Sequence, residues 1–212
     1  MRKLLAGLLT TSILTVSVFG SSIYAKDNYK QAYTKFFNRE SINWGVQDAS
    51  MDEIKFSFMD IDRNGVPEVV LEFDNACAGD GMQHVFQYKN GEIVQMIPSQ
   101  YGSAVTLYKN GMVCVSGGKQ EGFYDTYYKV KNNRARFITE KCESQYYDSD
   151  SDTFVTSKTY VKGKHEWEDG ATVISEKQFK KLTSGCVKKN VRKLSFHDAT
   201  ARNVKKYLKS YK

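Results

Sequence analysis

Apolar and polar residues alternate with two different periods along this chain, and each change of period marks an element. Between Asp27 and Arg39, residues Tyr29, Ala32, Tyr33, Phe36 and Phe37 recur at helical spacing and share one face. Asp27 is a suitable N-cap for that helix. Asn38–Asp52 is a polar connector in which Trp44 is the large apolar residue. From Ile54 to Met59 the period falls to two: Ile54, Phe56 and Phe58 face one way, Lys55 and Ser57 the other, which predicts a strand. A second strand, Val69–Phe73, follows a turn-rich loop.

The middle of the chain reads as a meander of hairpins. Tyr88-Lys89-Asn90-Gly91 recurs as Tyr108-Lys109-Asn110-Gly111, and Tyr128-Lys129 followed by Asn132-Asn133 is a weaker echo. Asn-Gly between apolar runs is a hairpin signal, because both central residues of the tight turn need positive φ. The expected pairs are Val85–Lys89 with Glu92–Ile97, Ala104–Lys109 with Met112–Ser116, and Tyr127–Lys131 with Arg134–Thr139. Asp148–Asp152 is an acidic turn before a strand over Thr153–Val161.

Two helices follow. Ser175-Glu176-Lys177-Gln178 has the form of a capping box, with Ile174 placed to staple onto Phe179. Phe179, Leu182 and Cys186 are its expected buried face. A last helix starts near Asp198 and is expected to bury Ala201, Val204, Leu208 and Tyr211. Helix first, strands in the middle and helices last is the order of an α+β fold, here an antiparallel β-meander of hairpins with one N-terminal and two C-terminal helices.

The start of the chain has another pattern. Arg2-Lys3 precedes an apolar run, Leu4–Phe19, and a small residue, Ala25, closes the segment. Residues 1–25 therefore read as a cleavable secretory signal peptide, and 26–212 as a single secreted domain. The run is shorter than a membrane span and carries hydroxyl residues, and no later stretch is apolar enough to span. The full chain carries 31 Lys and Arg against 24 Asp and Glu. Twelve of those cations fall between Glu176 and Lys212, with only Glu176 and Asp198 as acids. A basic exported protein suits an anionic cell-surface polymer as partner, and a glycan or peptide would suit its many tyrosines. Nothing in the sequence points to specific nucleic-acid recognition. Cys77, Cys114, Cys142 and Cys186 lack metal-site or redox spacing. In an exported protein they make one or two disulfides possible, with connectivity open among three alternatives.

One stretch carries chemistry. In Asp60-Ile61-Asp62-Arg63-Asn64-Gly65-Val66-Pro67-Glu68, side-chain oxygens stand at the first, third, fifth and ninth places and glycine at the sixth. Calcium takes six to eight oxygens at about 2.3–2.6 Å. This spacing turns Asp60, Asp62 and Asn64 toward one point, and Gly65 permits the bend. The Val66 carbonyl and Glu68 complete a five-member ligand set for Ca2+. The twelfth place holds Leu71 instead of the bidentate Glu of an EF-hand, and the flanks read as strands. Asp52, Glu72 or Asp74 would have to supply a further oxygen. The alternative is an Asx-rich turn that binds nothing. The phrase from Phe58 to Leu71 resembles the strand–loop–strand of FG-GAP and VCBS-type repeats, and a segment of secreted clostridial-type proteins. That resemblance spans about fifteen residues. It implies a calcium-type loop on a β scaffold and no particular activity.

No other constellation assembles in the sequence. His84, His165 and His197 are scattered and read as surface or capping residues, and no nucleophile elbow is present. Cys77 beside His84 has no supporting flank. Three readings stand: a calcium-stabilised extracellular or cell-surface binding domain, a secreted hydrolase with a site unreadable in sequence, and a purely structural surface protein. A pocket holding a His–acid pair would favour the second. A shallow groove lined by Tyr101, Tyr124, Tyr127, Tyr128, Tyr146 and Tyr147 would favour the first.

Overall fold

The aromatic stripe does build a helix. A computed structural model of the chain describes residues 18–43, 48–73, 81–97, 102–119 and 122–211. Trp44, Asp74, Cys77, Tyr101 and the first seventeen residues of the expected leader lie outside them. Helix α1 (Val18–Phe37) runs unbroken through Ala25 and Asp27, so Asp27 does not cap it. Tyr29, Tyr33, Phe36 and Phe37 are all buried. The polar connector holds two short strands, β1 (Ser41–Asn43) and β2 (Asp48–Ser50), paired with each other, and a 3-10 turn.

Strands β3 (Ile54–Met59), β4 (Glu68–Phe73), β5 (Met82–Lys89) and β6 (Glu92–Ile97) form consecutive antiparallel pairs. The second sheet is built from β7 (Ala104–Tyr108), β8 (Met112–Lys119), β9 (Gly122–Val130), β10 (Ala135–Asp148) and β11 (Thr153–Lys162). It is closed at one edge by β12 (Thr172–Val173), after which α2 (Glu176–Leu182) begins. The chain then returns through β13 (Val191–Arg192), β14 (His197–Asp198) and α3 (Ala201–Leu208). The larger sheet has the order β12-β11-β10-β9-β8-β7-β13 and the smaller β14-β3-β4-β5-β6. Every pairing is antiparallel. The α+β class and the hairpin meander are therefore observed.

Period-two patterning explains the layers. Ile54, Phe56, Phe58, Leu71 and Phe73 face α1 and α3 in one apolar cluster. Val70, Val85 and Ile97 face the other way, against Leu107, Val113, Val115 and Val130 of the larger sheet. The smaller sheet is covered on both faces, which is why Val69-Val70-Leu71 reads as a continuous apolar run. Each such buried side chain contributes roughly 1.5–3 kcal/mol. The outer face of the larger sheet carries a third cluster, Tyr108, Met112 and Cys114, with Tyr127 and Cys186 against it.

Turn chemistry is as expected at two of the three hairpins. Asn90 and Gly91 have φ 52° and 90°, and Asn132 and Asn133 both have φ 54°. At the second, Gly111 alone has positive φ, at 75°. The Ser175 capping box forms. Leu182 and Ala201 are exposed, against expectation. Helix α2 ends at Leu182, and α3 is capped by Thr200, two residues later than Asp198, so Ala201 is its first helical residue. Cys114, Cys142 and Cys186 are free thiols. No helix among the described residues is long and apolar enough to cross a membrane.

Candidate metal-binding loop

The β3–β4 connection is shaped by what its buried members require. Ile61 is buried in the cluster between the sheets, and its neighbours Asp60 and Asp62 stay half-exposed. Pro67 is buried, and its carbonyl accepts the Tyr33 hydroxyl at 2.6 Å. Arg63 and Gly65 take φ of 63° and 87°, the two left-handed steps of the bend.

The acidic side chains fold over this bend. Asp60 accepts the Asn64 N–H on Oδ1 at 3.0 Å and the Gly65 N–H on Oδ2 at 2.9 Å. Asp62 Oδ1 accepts the Asn64 N–H at 3.2 Å, and Asn64 Oδ1 accepts the Val66 N–H at 2.7 Å. Glu68 reaches back from the start of β4, where Oε2 accepts the Ile61 N–H at 2.8 Å. One oxygen each from Asp60, Asp62 and Glu68 lies within 4.8 Å of the others. Oxygens on opposite sides of a bound calcium stand about 4.6–5.2 Å apart, twice the usual bond length. The spacing therefore fits. A carboxylate oxygen that accepts one N–H keeps a lone pair for a cation.

Charge sharpens the picture. Glu68 is 1% exposed. Burial pushes its carboxyl up to about 8, and nearby Asp62 and Asp60 push the same way against the Ile61 N–H. The neighbouring cations are directed elsewhere. Arg192 donates to the Asp60 backbone carbonyl at 2.8 Å and Arg63 to the Lys109 carbonyl at 3.1 Å. Three carboxylates thus converge with no ion-paired cation among the described residues.

Of the expected ligand set, the fold brings Asp60, Asp62 and Glu68 together, with Asn64 and Val66 in the same bend. Glu72 does not join: it accepts the Gln83 amide at 2.6 Å toward the other end of β4. Asp52 bonds to Ser50 in the 3-10 turn. Sequence reasoning also missed the loop's outer partner. The Asn133 N–H donates to Asp62 Oδ2 at 2.8 Å, and Asn64 Nδ2 donates to Asn133 Oδ1.

Of the three histidines His84 is fully buried, whereas His165 and His197 are half-buried. His84 is buried in β5, and burial lowers its ring to about 4, leaving it neutral. His165 Nδ1 meets Glu140 Oε2 at 2.8 Å, and its ring stacks on Trp167 at 4.4 Å. Burial alone would raise Glu140, but the His165, Thr126 and Glu166 N–H hydrogen bonds outweigh it and hold the carboxyl below its usual value. His197 stacks on Tyr207 with ring centres 4.0 Å apart. Of the named tyrosines, Tyr146 and Tyr147 are exposed near the tip of the β10–β11 hairpin, whereas Tyr128 is buried.

No protein-family model matches the chain, and no curated protein does. A solved structure described as a Xanthomonas type IV secretion system related protein is similar at 17% identity and a TM-score of 0.39. That similarity covers 57% of this chain and 58% of the other.

Proposed function

We propose that the chain is an exported, calcium-stabilised domain that acts by binding at or outside the cell surface. The observation that carries the calcium part is the convergence of Asp60, Asp62 and Glu68 within 4.8 Å around a bend, one of them buried and none ion-paired with a cation among the described residues. A hard divalent ion offers what that arrangement lacks: positive charge and coordination by several oxygens at once. The loop's strand flanks support the resemblance of Phe58–Leu71 to FG-GAP and VCBS-type loops. Its contacts reach the larger sheet through Asn133 and the returning chain through Arg192. An ion held there would tie these segments together.

The hydrolase reading has one observation behind it, the Glu140–His165 pair. That pair supports a structural clasp better. Its second ring nitrogen faces the Tyr128 hydroxyl at 3.3 Å, and Trp167 lies on the ring. The calcium reading is tested by thermal unfolding with calcium, magnesium or chelator. At ten times the dissociation constant, calcium adds about 1.4 kcal/mol. For a domain of this size that is a rise of roughly 3–6 °C. Magnesium does much less, because it demands a tighter octahedron. Asp62→Ala abolishes the shift. An equal shift in Asp62→Ala, or none in wild type, removes the calcium reading.

A further inference from the structure

The turn that holds Asp62 presents a second feature. Strands β9 and β10 alternate strictly at their ends: Val130 and Ala135 join the cluster between the sheets. That places Lys129, Lys131, Arg134 and Arg136 together on the outer face. Asn132 and Asn133, both left-handed, close the turn, and Lys131 and Arg134 exchange backbone hydrogen bonds of 3.0 and 3.2 Å. Lys129, Lys131, Asn132, Arg134 and Arg136 line a cleft of about 550 Å³.

The charge in this cleft is uncompensated. Lys129 stands directly opposite Arg136 in the ladder. Like charges at such positions destabilise a sheet. No carboxylate lines the cleft, and Lys131, Arg134 and Arg136 form no ion pair among the described residues. Further along β9, β10 and the adjoining β11 the cations are neutralised: Lys141 bonds Asp125 at 3.2 Å and Glu143 at 2.8 Å, and Lys158 bonds Glu143 at 3.3 Å. The sheet therefore pairs its charges at one end and leaves them open at the other. The open end is also held in place, by Asn133 on Asp62. Lys109, on the neighbouring hairpin turn, spends its ammonium on the Lys189 carbonyl, which leaves its charge without a carboxylate.

We infer that this cleft binds a linear polyanion through its phosphates, a polymer of phosphate-diester-linked polyol units. The inference deepens the binding reading above and rests on it. Arginine guanidinium matches two phosphate oxygens at once. The lining has no aromatic ring, so it lacks the stacking platform that a single-stranded nucleic-acid site uses. The occupant is thereby recognised by its charged backbone and not by bases.

The test is titration of the full chain with labelled poly(glycerol phosphate), in chelator and again in calcium. Binding should weaken with salt, with a log–log slope of about −2 for three phosphate contacts. Arg134→Glu/Arg136→Glu should lose at least about tenfold in affinity, and the milder Arg134→Gln/Arg136→Gln several-fold, with thermal midpoints no lower than wild type, since losing Arg136 relieves its repulsion with Lys129. Lys205→Glu/Lys206→Glu on α3 should bind as wild type. The inference is overturned if the cleft variants bind normally, or if the α3 variant loses as much, since net charge alone would then account for binding. It is also overturned if free inorganic phosphate competes as well as the polymer, or if a single-stranded oligonucleotide of equal length binds more than about tenfold tighter. Absence of binding at low salt ends it as well. Calcium-dependent unfolding, measured on the same samples, reports the loop separately, so the two readings fail independently.

Discussion

Glu68→Gln separates a metal loop from a plain turn, because the two readings give it opposite consequences. The native carboxyl titrates near 8, against 4.5 for an unperturbed one. The unfolded chain gives up that proton at lower pH than the folded chain does. A carboxyl raised in this way supports the fold fully below its unfolded value, and that support is lost as pH rises through its folded value. In chelator, wild type should therefore lose about 1.4 kcal/mol per pH unit at this site between about 4.5 and 8. The total approaches ~4–5 kcal/mol as an upper bound. Gln keeps an acceptor for the Ile61 N–H and has nothing to ionise. In chelator the variant should equal wild type near pH 5 and exceed it by a few kcal/mol at pH 8.5.

Calcium should narrow that gap at pH 8.5, because it supports wild type and not the variant. Binding at Glu68 must displace its proton below about 8, so apparent affinity rises roughly tenfold per pH unit up to that point. An ion that adds about 1.4 kcal/mol at pH 8.5 should add almost nothing at pH 6. The assay is urea unfolding of both proteins at pH 5, 6, 7 and 8.5, with and without calcium. A calcium increment equal at pH 6 and 8.5, or retained in Glu68→Gln, would show that Glu68 is not a ligand. A chelator profile identical for both proteins would show that burial does not hold its proton.

His165→Ala should cost about 1–3 kcal/mol, because it removes one of the hydrogen bonds that the buried Glu140 carboxylate accepts and leaves those from Thr126 and the Glu166 N–H. Glu140→Gln/His165→Ala should recover part of that loss in the same denaturant assay. The stabilisation from Glu140 itself should be present above its unfolded value and decline as acid carries pH down through its depressed folded value. Gly122→Ala should destabilise by about 1–3 kcal/mol, since the added carbon would stand 2.3 Å from the Glu143 carbonyl oxygen. Mass spectrometry of protein recovered from the medium should show Lys26 at the N-terminus. A retained, full-length product would contradict export. Such cleavage keeps Tyr29, Tyr33, Phe36 and Phe37, the α1 aromatics that are buried among the described residues.

The elements legible in the sequence are those whose information is local. Ile54–Met59 is a strand in full, and the Asn90-Gly91 hairpin, the Ser175 capping box and the Tyr29–Phe37 stripe all form. Asp60, Asp62 and Glu68 were legible for the same reason: nine residues contain their whole bend. What escaped depends on distant partners. Glu140 sits in a polar stretch of β10 with no local mark of burial, and His165, 25 residues away, is what satisfies it. His84 reads as a polar strand start until both faces of its sheet are covered. The extension of β10 to Asp148 and of β11 to Lys162 is set by each other's ladder. The cleft lay in plain alternation, Lys129, Lys131, Arg134 and Arg136, but its lack of acidic partners is a tertiary fact.

The β3–β4 loop makes sense only when its buried acid is considered apart from its bend. Asp60, Asp62 and Asn64 shape the turn by accepting backbone N–H groups, and any Asx-rich loop can do that. Glu68 is not needed for that shape. Its bond from the Ile61 N–H could be accepted by a neutral amide without ionisation cost. Two unit charges about 5 Å apart repel by about 3 kcal/mol at an effective dielectric near 20. A carboxylate buried beside two others is therefore a liability unless something neutralises it. Two agents can: a proton, which the apo fold retains to about 8, or a cation. At neutral pH the proton is a weak solution, since the unfolded chain sheds it and stability drains away. A calcium ion converts the same three charges into attraction and leaves their N–H bonds in place. The presence of an acid where an amide would serve the turn is the strongest physical argument that this loop is built around a cation.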